Sequence, residues 1–545
     1  MKKIIIASVV CVLALALASC SKDFLNTRST SSTDEGTLFT TTESARMALE
    51  GLNRHMYYFD GTSPHMGYGL VMLWNEVLGE DLVYTKKNAQ FTTQAKWELH
   101  RNTTSSHNKY CYRWVYEMNM GANTIIRNMD GSTISGPQEE KDFIKAQALT
   151  YRAFAMFVGV QWWGKRYDYG QGGDNNEPNS GIVLRTDNSG EIKARSTVAQ
   201  VYEQINSDLD EAIRLFTLNP WMERTEKYDI DIVVALGIKA RVLLAQGEWE
   251  EAARTAASAI EYSDAKMDYN TWEKKVGRGC DSNNSEWIWG LVARVSPGIH
   301  KYGQFYSFIS NTNVSYNQNT PRAIYNKLYD RIPANDTRKD LWLVDPASTN
   351  KKTIVYPPEG NLFPWMSQKF IVCAIDNTSS DYDGSKLDAD VPWMRLPELY
   401  LIAAEGYSRA GYDTEAREYI TNMAKYRDSG FADKAKTLSG AALLDEIMFQ
   451  RRIELWGEGF RFTDLKRLNM DLDRGPKPRE GYNQGGWKSG KRITNLDPEA
   501  SNYNMYDAQE IGEENRFKAK GSIEWQFVIP QDEIDNNPLC TQNAL

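Results

Sequence analysis

The sequence predicts a mainly α protein: paired helices forming a scaffold, interrupted by a long irregular, loop-rich stretch. Three observations predict it. Apolar residues recur at helical spacing in at least eight separate segments. Two helix-turn-helix units far apart in the chain share one pattern. Between them, residues 264–392 change character and become rich in Pro, Gly, Asn and aromatic side chains.

The elements follow in order. Helical pattern begins near Ser44 and runs through Ala48, Leu49, Leu52 and Met56. A second helix fits Tyr110 to Met129, and a third fits Asp142 to Trp163, where Gly164 breaks it. Residues 165–195 read as loop, and Ser196-Thr197 then caps a long amphipathic helix to Phe216. The first matched pair is Val234 to Gln246, Gly247-Glu248-Trp249, then Glu250 to Ile260. The second is Leu396 to Ala410, Gly411-Tyr412-Asp413, then Thr414 to Ala424. In each, a glycine supplies the backbone freedom of a helix end, and a small alanine five residues on (Ala252, Ala416) permits close helix approach. Each unit resembles the tetratricopeptide hairpin, although the two do not form a tandem array. Leu443 to Trp456 is the last strong helix, and a short apolar piece, Phe527-Val528-Ile529-Pro530, lies near the end. Within the irregular stretch, Glu286-Trp287-Ile288-Trp289-Gly290 is strand-like.

The N-terminus is a processing signal. Lys2 and Lys3 precede an almost wholly apolar run, Ile4 to Ala18, which closes on Leu17-Ala18-Ser19-Cys20. A membrane helix needs about 20 apolar residues, so this run is short, and polar Ser21-Lys22-Asp23 follows. The competing reading is an ordinary cleaved signal with an incidental cysteine. The cysteine at the cleavage point makes the segment resemble a bacterial lipobox, in which Cys20 carries lipid and becomes the first mature residue. Multiple acyl chains make such an anchor durable.

Composition excludes other classes. The chain has 545 residues and a net charge of −9, more negative once Lys2 and Lys3 leave, which argues against nucleic acid as a partner. Cys111, Cys280, Cys373 and Cys540 show no metal-ligand spacing and leave disulfide pairing open. The five histidines include no pair at i,i+4, and neither a P-loop nor a G-x-S-x-G occurs. Neither a cofactor nor a metal is expected. Asp381, Asp383, Asp388 and Asp390 match a calcium loop only loosely, since Gly384 falls too early and the bidentate glutamate is missing.

Six groups of residues, in order, resemble the SusD/RagB family of glycan-binding outer-membrane lipoproteins of Bacteroidetes. They are Cys20 with Asp23-Phe24-Leu25; Ala148, Arg152, Ala153 and Phe154 leading to Trp163-Gly164; Leu236, Lys239-Ala240-Arg241, Leu244 and Gly247; Arg395, Glu398, Tyr400, Leu401 and Ala403-Ala404-Glu405; Arg451-Arg452, Glu454-Leu455, Glu458-Gly459, Arg461 and Asp464-Leu465; and Ile529-Pro530, Glu533-Ile534, Asn537-Pro538 and Gln542-Asn543. The resemblance implies a tetratricopeptide-like scaffold with an irregular part packed on it. It further implies non-enzymatic capture of an oligosaccharide or glycopeptide at the cell surface, beside a SusC-like TonB-dependent transporter over which the protein sits as a hinged lid. An anchored glycoside hydrolase and a tetratricopeptide protein adaptor are the alternatives. The implied organisation is a signal peptide over 1–19, a lipidated tether over 20–40, an N-terminal helical region over 41–263, the insertion over 264–392 and a C-terminal region over 393–545.

A glycan binder needs aromatic faces that stack on sugar C–H faces, with polar groups at their edges. The chain holds 16 Trp, 29 Tyr and 18 Phe. Two stretches supply candidates, each weighed against plain burial: Trp74, Tyr84 and Trp97 followed by Arg101 and Asn102, and Tyr302, Phe305, Tyr306 and Trp365. Trp287 and Trp289 read as structural. Arg451, Arg452, Glu454, Glu458, Arg461 and Asp464 form a dense polar cluster. Glu454 and Glu458 stand one helical turn apart, and a glycoside hydrolase needs two such carboxylates, but the interleaved arginines favour ion pairing that fixes helix packing.

Overall fold

The computed structural model describes residues 38–62, 64–84, 91–131, 134–272, 281–293, 305–310, 322–343, 365–370, 390–475, 487–488, 491–492, 511 and 513–545. Cys20, Tyr302, Cys280, Cys373, Asp381, Asp383 and Asp388 lie outside these residues.

Helix α1 (Thr42–His55) starts at a capping box of Thr41 and Ser44. Helix α2 (Tyr68–Val77) is buried along its whole length. Strand β1 (Leu82–Tyr84) follows. Ser105 caps α3 (Ser106–Asp130), which packs along α4 (Gln138–Trp163). Thr197 and Gln200 form a second capping box at the head of α5 (Val198–Leu218). Asp231 caps α6 (Ile232–Gln246), which stops at Gly247 with φ +77 and turns into α7 (Trp249–Tyr262). After β2 (Trp287–Leu291), β3 (Arg322–Ile324), β4 (Trp342–Leu343), β5 (Met366–Ser367) and β6 (Val391–Arg395) come α8 (Leu396–Arg409), α9 (Asp413–Ala424), α10 (Gly440–Glu454) and α11 (Arg461–Arg467).

The long helices pack in chain order: α3 on α4, α4 on α5, α5 on α6, α6 on α7, α7 on α8, and α8 on both α9 and α10. The two matched hairpins, α6–α7 and α8–α9, therefore stack directly. Ala252 and Ala416 are fully buried where each pair closes. The fold is mainly α and tetratricopeptide-like. One large core runs through α1–α6, the strands and the C-terminal segment. A separate core lies under α8, α9 and α10, and a third between α6, α7 and α8.

Strand β2 pairs antiparallel with β6, placing Trp287 opposite Arg395 and Leu291 opposite Val391. Its five residues are all buried, which gives Trp287 and Trp289 the structural role expected of them. Strands β1, β3, β5 and β4 form a small antiparallel sheet in that order. The C-terminal segment returns to the core: Phe527 N–H donates to Trp162 O and Val528 N–H to His100 O. No helix among the described residues is long and apolar enough to cross a membrane.

Candidate functional site

The polar cluster is a buried ionic lattice. Glu454, with no exposed side-chain area, accepts from Arg338 Nη1 at 3.1 Å, Arg395 Nη1 at 3.1 Å and Arg427 Nη2 at 3.1 Å. Glu458 accepts from Lys369 Nζ at 2.5 Å and from Arg395 Nη2 at 2.6 Å. Glu286 joins through Arg427 at 2.7 Å, and the Trp272 ring lies 5.1 Å from Arg395 and 5.3 Å from Arg427. Burial would raise the Glu454 and Glu458 pKa values, but the surrounding arginine and lysine charges outweigh it and hold both carboxylates below the ordinary range. A group held ionised by cations has no proton to give a leaving group. Helix α10 ends at Glu454, so Glu458 stands in the turn beyond it rather than one helical turn along, and the two carboxylates are spent on joining β6, α10 and that turn.

The same motif fixes the base of the small sheet. Arg452 Nε donates to Asp81 Oδ2 at 3.0 Å, and Arg461 Nε to Glu80 Oε1 at 3.0 Å. Trp456 Nε1 donates to Asp81 O at 2.9 Å. Glu76 accepts the N–H groups of Gly459 at 2.8 Å and Phe460 at 3.0 Å. These contacts clamp the residues leading into β1 against α10 and α11.

Most of the candidate aromatics sit in the core. Trp74 is fully buried in α2 and stacks on Trp162 with centroids 5.6 Å apart. Trp97 is buried, donates to Leu78 O at 3.0 Å and meets Trp525 edge-on at 4.8 Å. Phe305 and Tyr306 are buried around Phe370, and the Tyr306 hydroxyl donates to Asp390 O at 2.7 Å. None of these four rings offers a free face, because each fills a space between helices or beneath the sheet. Arg101 Nη1 donates to Ile523 O at 3.1 Å and also to Gln526 O, while its Nη2 reaches Ala544 O, so it pins the C-terminal segment. Asn102 is exposed and its side chain closes a local turn onto Thr104.

The remaining two meet at the sheet. Tyr84 stands on β1 opposite Arg322 of β3. Ile324 N–H, on the same β3, donates to Trp365 O at 3.1 Å. Tyr84 and Trp365, far apart in sequence, thus flank one strand, with neighbouring strands about 4.8 Å apart. Trp365 is half-buried and has φ +59, a region that bulky residues seldom adopt and that surrounding structure must enforce. Beneath the sheet lie the buried rings of Phe305, Tyr306, Phe370, Trp342 and Trp456. The arrangement is an indole held at the rim of a rigid, aromatic-floored sheet.

The described residues contain no group of three or more His, Cys, Asp and Glu side chains placed to hold a metal ion. Asp390, from the acidic run, accepts from Ser282 N–H and Ala293 N–H and is a structural brace. Cys111 and Cys540 are free and buried. A surface cleft of about 390 Å³ lies between residues 165–177, 465–470 and 521–526. Burial pushes the pKa of Lys466, at its edge, down to about 7. Its ammonium is spent on the C-terminal carbonyls of α4, at Gln161 O and Gly164 O.

Comparison with known proteins agrees with this architecture. A family model described as the SusD family matches residues 259–545, and one described as starch-binding and associating with the outer membrane matches residues 74–244. The chain is 22% identical to SusD-like protein P38 of Formosa agariphila, over 73% of this chain and 80% of that protein. Among solved structures, a SusD superfamily protein of Bacteroides thetaiotaomicron superposes with a TM-score of 0.69 at 22% identity, over 93% of this chain and all of that one. A SusD-like carbohydrate-binding protein of Bacteroides vulgatus gives 0.69 at 24%, over 92% and 98%. Surface glycan-binding protein A of Bacteroides thetaiotaomicron gives 0.63 at 17%, over 93% and 100%.

Proposed function

We propose, from the premise that this chain belongs to the SusD family, that it binds an oligosaccharide without cleaving it and passes it to a SusC-like TonB-dependent transporter. The observation that carries the reading is Trp365. It is the one candidate ring with a described side chain that is not fully buried, and it stands on a sheet whose base is locked to two helices. A sugar ring stacks on the part of such a ring that reaches solvent, with polar groups at its edge taking the hydroxyls. The clustered carboxylates support binding rather than hydrolysis, since Glu454 and Glu458 are committed to arginine and lysine. Cys20, as the lipidated residue, tethers the body to the outer membrane while leaving it free to swing over the transporter.

The test uses soluble chain lacking residues 1–20 against neutral and acidic polysaccharides in affinity gels. Retention by at least one polymer, without new reducing ends over time, is expected. Replacing Trp365 with Ala weakens retention by about tenfold, the loss of one stacking contact with its surrounding hydrogen bonds. Steady release of reducing ends by the purified chain would overturn the binding reading in favour of hydrolysis.

A further inference from the structure

The helical scaffold carries an aromatic feature that the sheet does not use. Tyr400 and Tyr407 are seven residues apart on α8, and Tyr412, Tyr419 and Tyr426 follow at the same spacing along and beside α9. Seven residues is close to two helical turns, so each set lines one face. Because α8 and α9 are antiparallel partners, the two lines meet. Tyr412 lies 6.1 Å from Tyr407, Tyr407 stacks on Tyr419 at 5.6 Å, and Tyr419 lies 6.2 Å from Tyr400. Tyr426 packs at 4.4 Å on Tyr269, from the segment after α7. Tyr412, Tyr407, Tyr419 and Tyr400 thus form one continuous ladder, and Tyr426, paired with Tyr269, follows it in the same period of seven.

The ladder rests on the core under α8–α10 with one side and reaches solvent with the other. Tyr400, Tyr407 and Tyr419 are partly buried against that core, whereas Tyr412 and Tyr269 at the ends are 41% and 62% exposed. Among the described residues, none of the six hydroxyls has a hydrogen-bond partner. All six tyrosines are partly or largely exposed, so the strip presents hydroxyls that a ligand could bond in place of water. The rims are charged. Arg254 is paired with Glu250 at 2.5 Å, while Glu261, Glu415 and Glu418 face the ladder with no ion-pair partner among the described residues. Lys425 Nζ lies 5.5 Å over the Tyr426 ring at the other end, so the field is acidic at Tyr407 and Tyr419 and disfavours an anionic ligand there.

We propose that this tyrosine ladder is a second carbohydrate-binding surface, specific for neutral polysaccharide and separate from the sheet at Trp365. Ring faces and free hydroxyls in alternation match a polymer whose every unit offers a C–H face and hydroxyl edges. A succession of weak contacts suits a polymer rather than a single sugar, because linked contacts add through effective concentration. The surface would hold a chain against the scaffold while the sheet engages its end. The proposal shares with the preceding reading only the class of ligand.

Affinity gels containing starch, β-glucan, xylan, galactomannan or polygalacturonate test it with the soluble chain. The Trp365→Ala chain is expected to keep a residual retention, about tenfold weaker than wild type, by at least one neutral polymer. Adding Tyr407→Ala and Tyr419→Ala removes that residue, and Tyr407→Phe with Tyr419→Phe removes only part of it. Tyr269→Ala with Tyr412→Ala, at exposed positions whose loss leaves the core intact, weakens it too. Abolition of all retention by Trp365→Ala alone overturns the ladder and leaves the sheet. Residual retention that survives both alanine pairs also overturns the ladder, and polygalacturonate retention that depends on Tyr407 and Tyr419 overturns its neutral specificity. Retention untouched by Trp365→Ala but lost with the tyrosines overturns the sheet reading and upholds the ladder. A wild-type chain that none of the five polymers retards overturns both.

Discussion

Arg395 and Glu458, 63 residues apart in sequence, form a bidentate pair in the interior, with Nε to Oε2 at 3.0 Å and Nη2 to Oε1 at 2.6 Å. Arg395 ends β6 at the mouth of the irregular stretch, and Glu458 lies in the turn between α10 and α11. Their pairing is where the insertion is stitched to the helical scaffold. Each keeps a second partner, Lys369 for Glu458 and Glu454 for Arg395, so removing either leaves the other buried charge only partly compensated, at a cost of up to about 3–5 kcal/mol. Glu458→Gln also weakens the hold on Lys369. Both Arg395→Met and Glu458→Gln are expected to lower the denaturant midpoint strongly. The double variant is expected to lose less than the sum of the two, because the one Arg395–Glu458 pair is lost in each single change and can be lost only once.

Trp74 and Trp365 separate the two roles of an aromatic in this chain. Trp74 is enclosed in α2 against Trp162, so Trp74→Ala leaves a cavity and costs about 3–5 kcal/mol. Trp365 is only partly buried, so Trp365→Ala costs less stability while lowering polysaccharide affinity. Thermal unfolding and affinity gels on both variants check the contrast. Equal loss of stability in the two would make Trp365 a packing residue.

Acid sensitivity has a specific source beside α3. His65 Nδ1 lies 3.0 Å from Asp60 Oδ2, and His65 Nε2 lies 3.1 Å from His107 Nδ1. With Asp60 accepting, neutral His65 must accept at Nε2 from His107, and protonating His65 turns that contact into two facing donors. Tyr110 stacks on His65 at 4.2 Å, and Arg113 approaches Asp60 at 3.3 Å. Burial lowers the pKa of both histidines, that of His107 to about 4. The folded state therefore stays neutral while the unfolded chain takes up protons below its ordinary value. Stability is retained above about pH 6.5 and falls as the pH drops toward 4. His107→Gln keeps a hydrogen-bonding group without the titration, so its unfolding midpoint should fall less than that of wild type between about pH 7 and 5.

The helical scaffold was legible because its helices are amphipathic and carry their own punctuation. The cap at Thr197 and the glycine after Gln246 stand where the spacing places them. Helix α2 was not legible. All ten of its residues are buried, so no polar face alternates with an apolar one, and Trp74 read as a residue of a connecting segment. Trp97 misled for a related reason: its left-handed backbone and its partner Trp525 come from regions no local pattern links. The ion pairs of Arg452 with Asp81 and Arg461 with Glu80 span more than 370 residues, beyond any periodicity. The tyrosine ladder, by contrast, is visible as a period of seven once the two helices are known to be neighbours.

Cys20 is expected to govern location and nothing else. Cys20→Ala should release the chain from membranes, as judged by fractionation, while the purified body keeps wild-type affinity for its polysaccharide. Retention of Cys20→Ala in the membrane fraction would mean that the apolar run Ile4 to Ala18 itself serves as the anchor.

The two hairpin glycines look equivalent in sequence, but their surroundings give them different tolerances. Gly247 and Gly411 have φ of +77 and +88, so each substitution by alanine incurs the left-handed penalty of about 1–2 kcal/mol. At Gly411 a new methyl group meets nothing within 4 Å. At Gly247 it would stand 2.5 Å from Tyr169 Cβ, and the Tyr169 ring is itself held 5.1 Å from Trp249 at the start of α7. The clash falls at the root of a side chain that is pinned at its far end, so relief requires backbone movement of the 165–177 loop. Gly411→Ala should therefore cost only the backbone term, and Gly247→Ala should cost clearly more in denaturant unfolding. Adding Tyr169→Gly to Gly247→Ala removes the Cβ that the new methyl group would strike, so this pair should be less destabilised than the sum of its single changes. Strict additivity of the two would show that Gly247 is required for its backbone conformation alone.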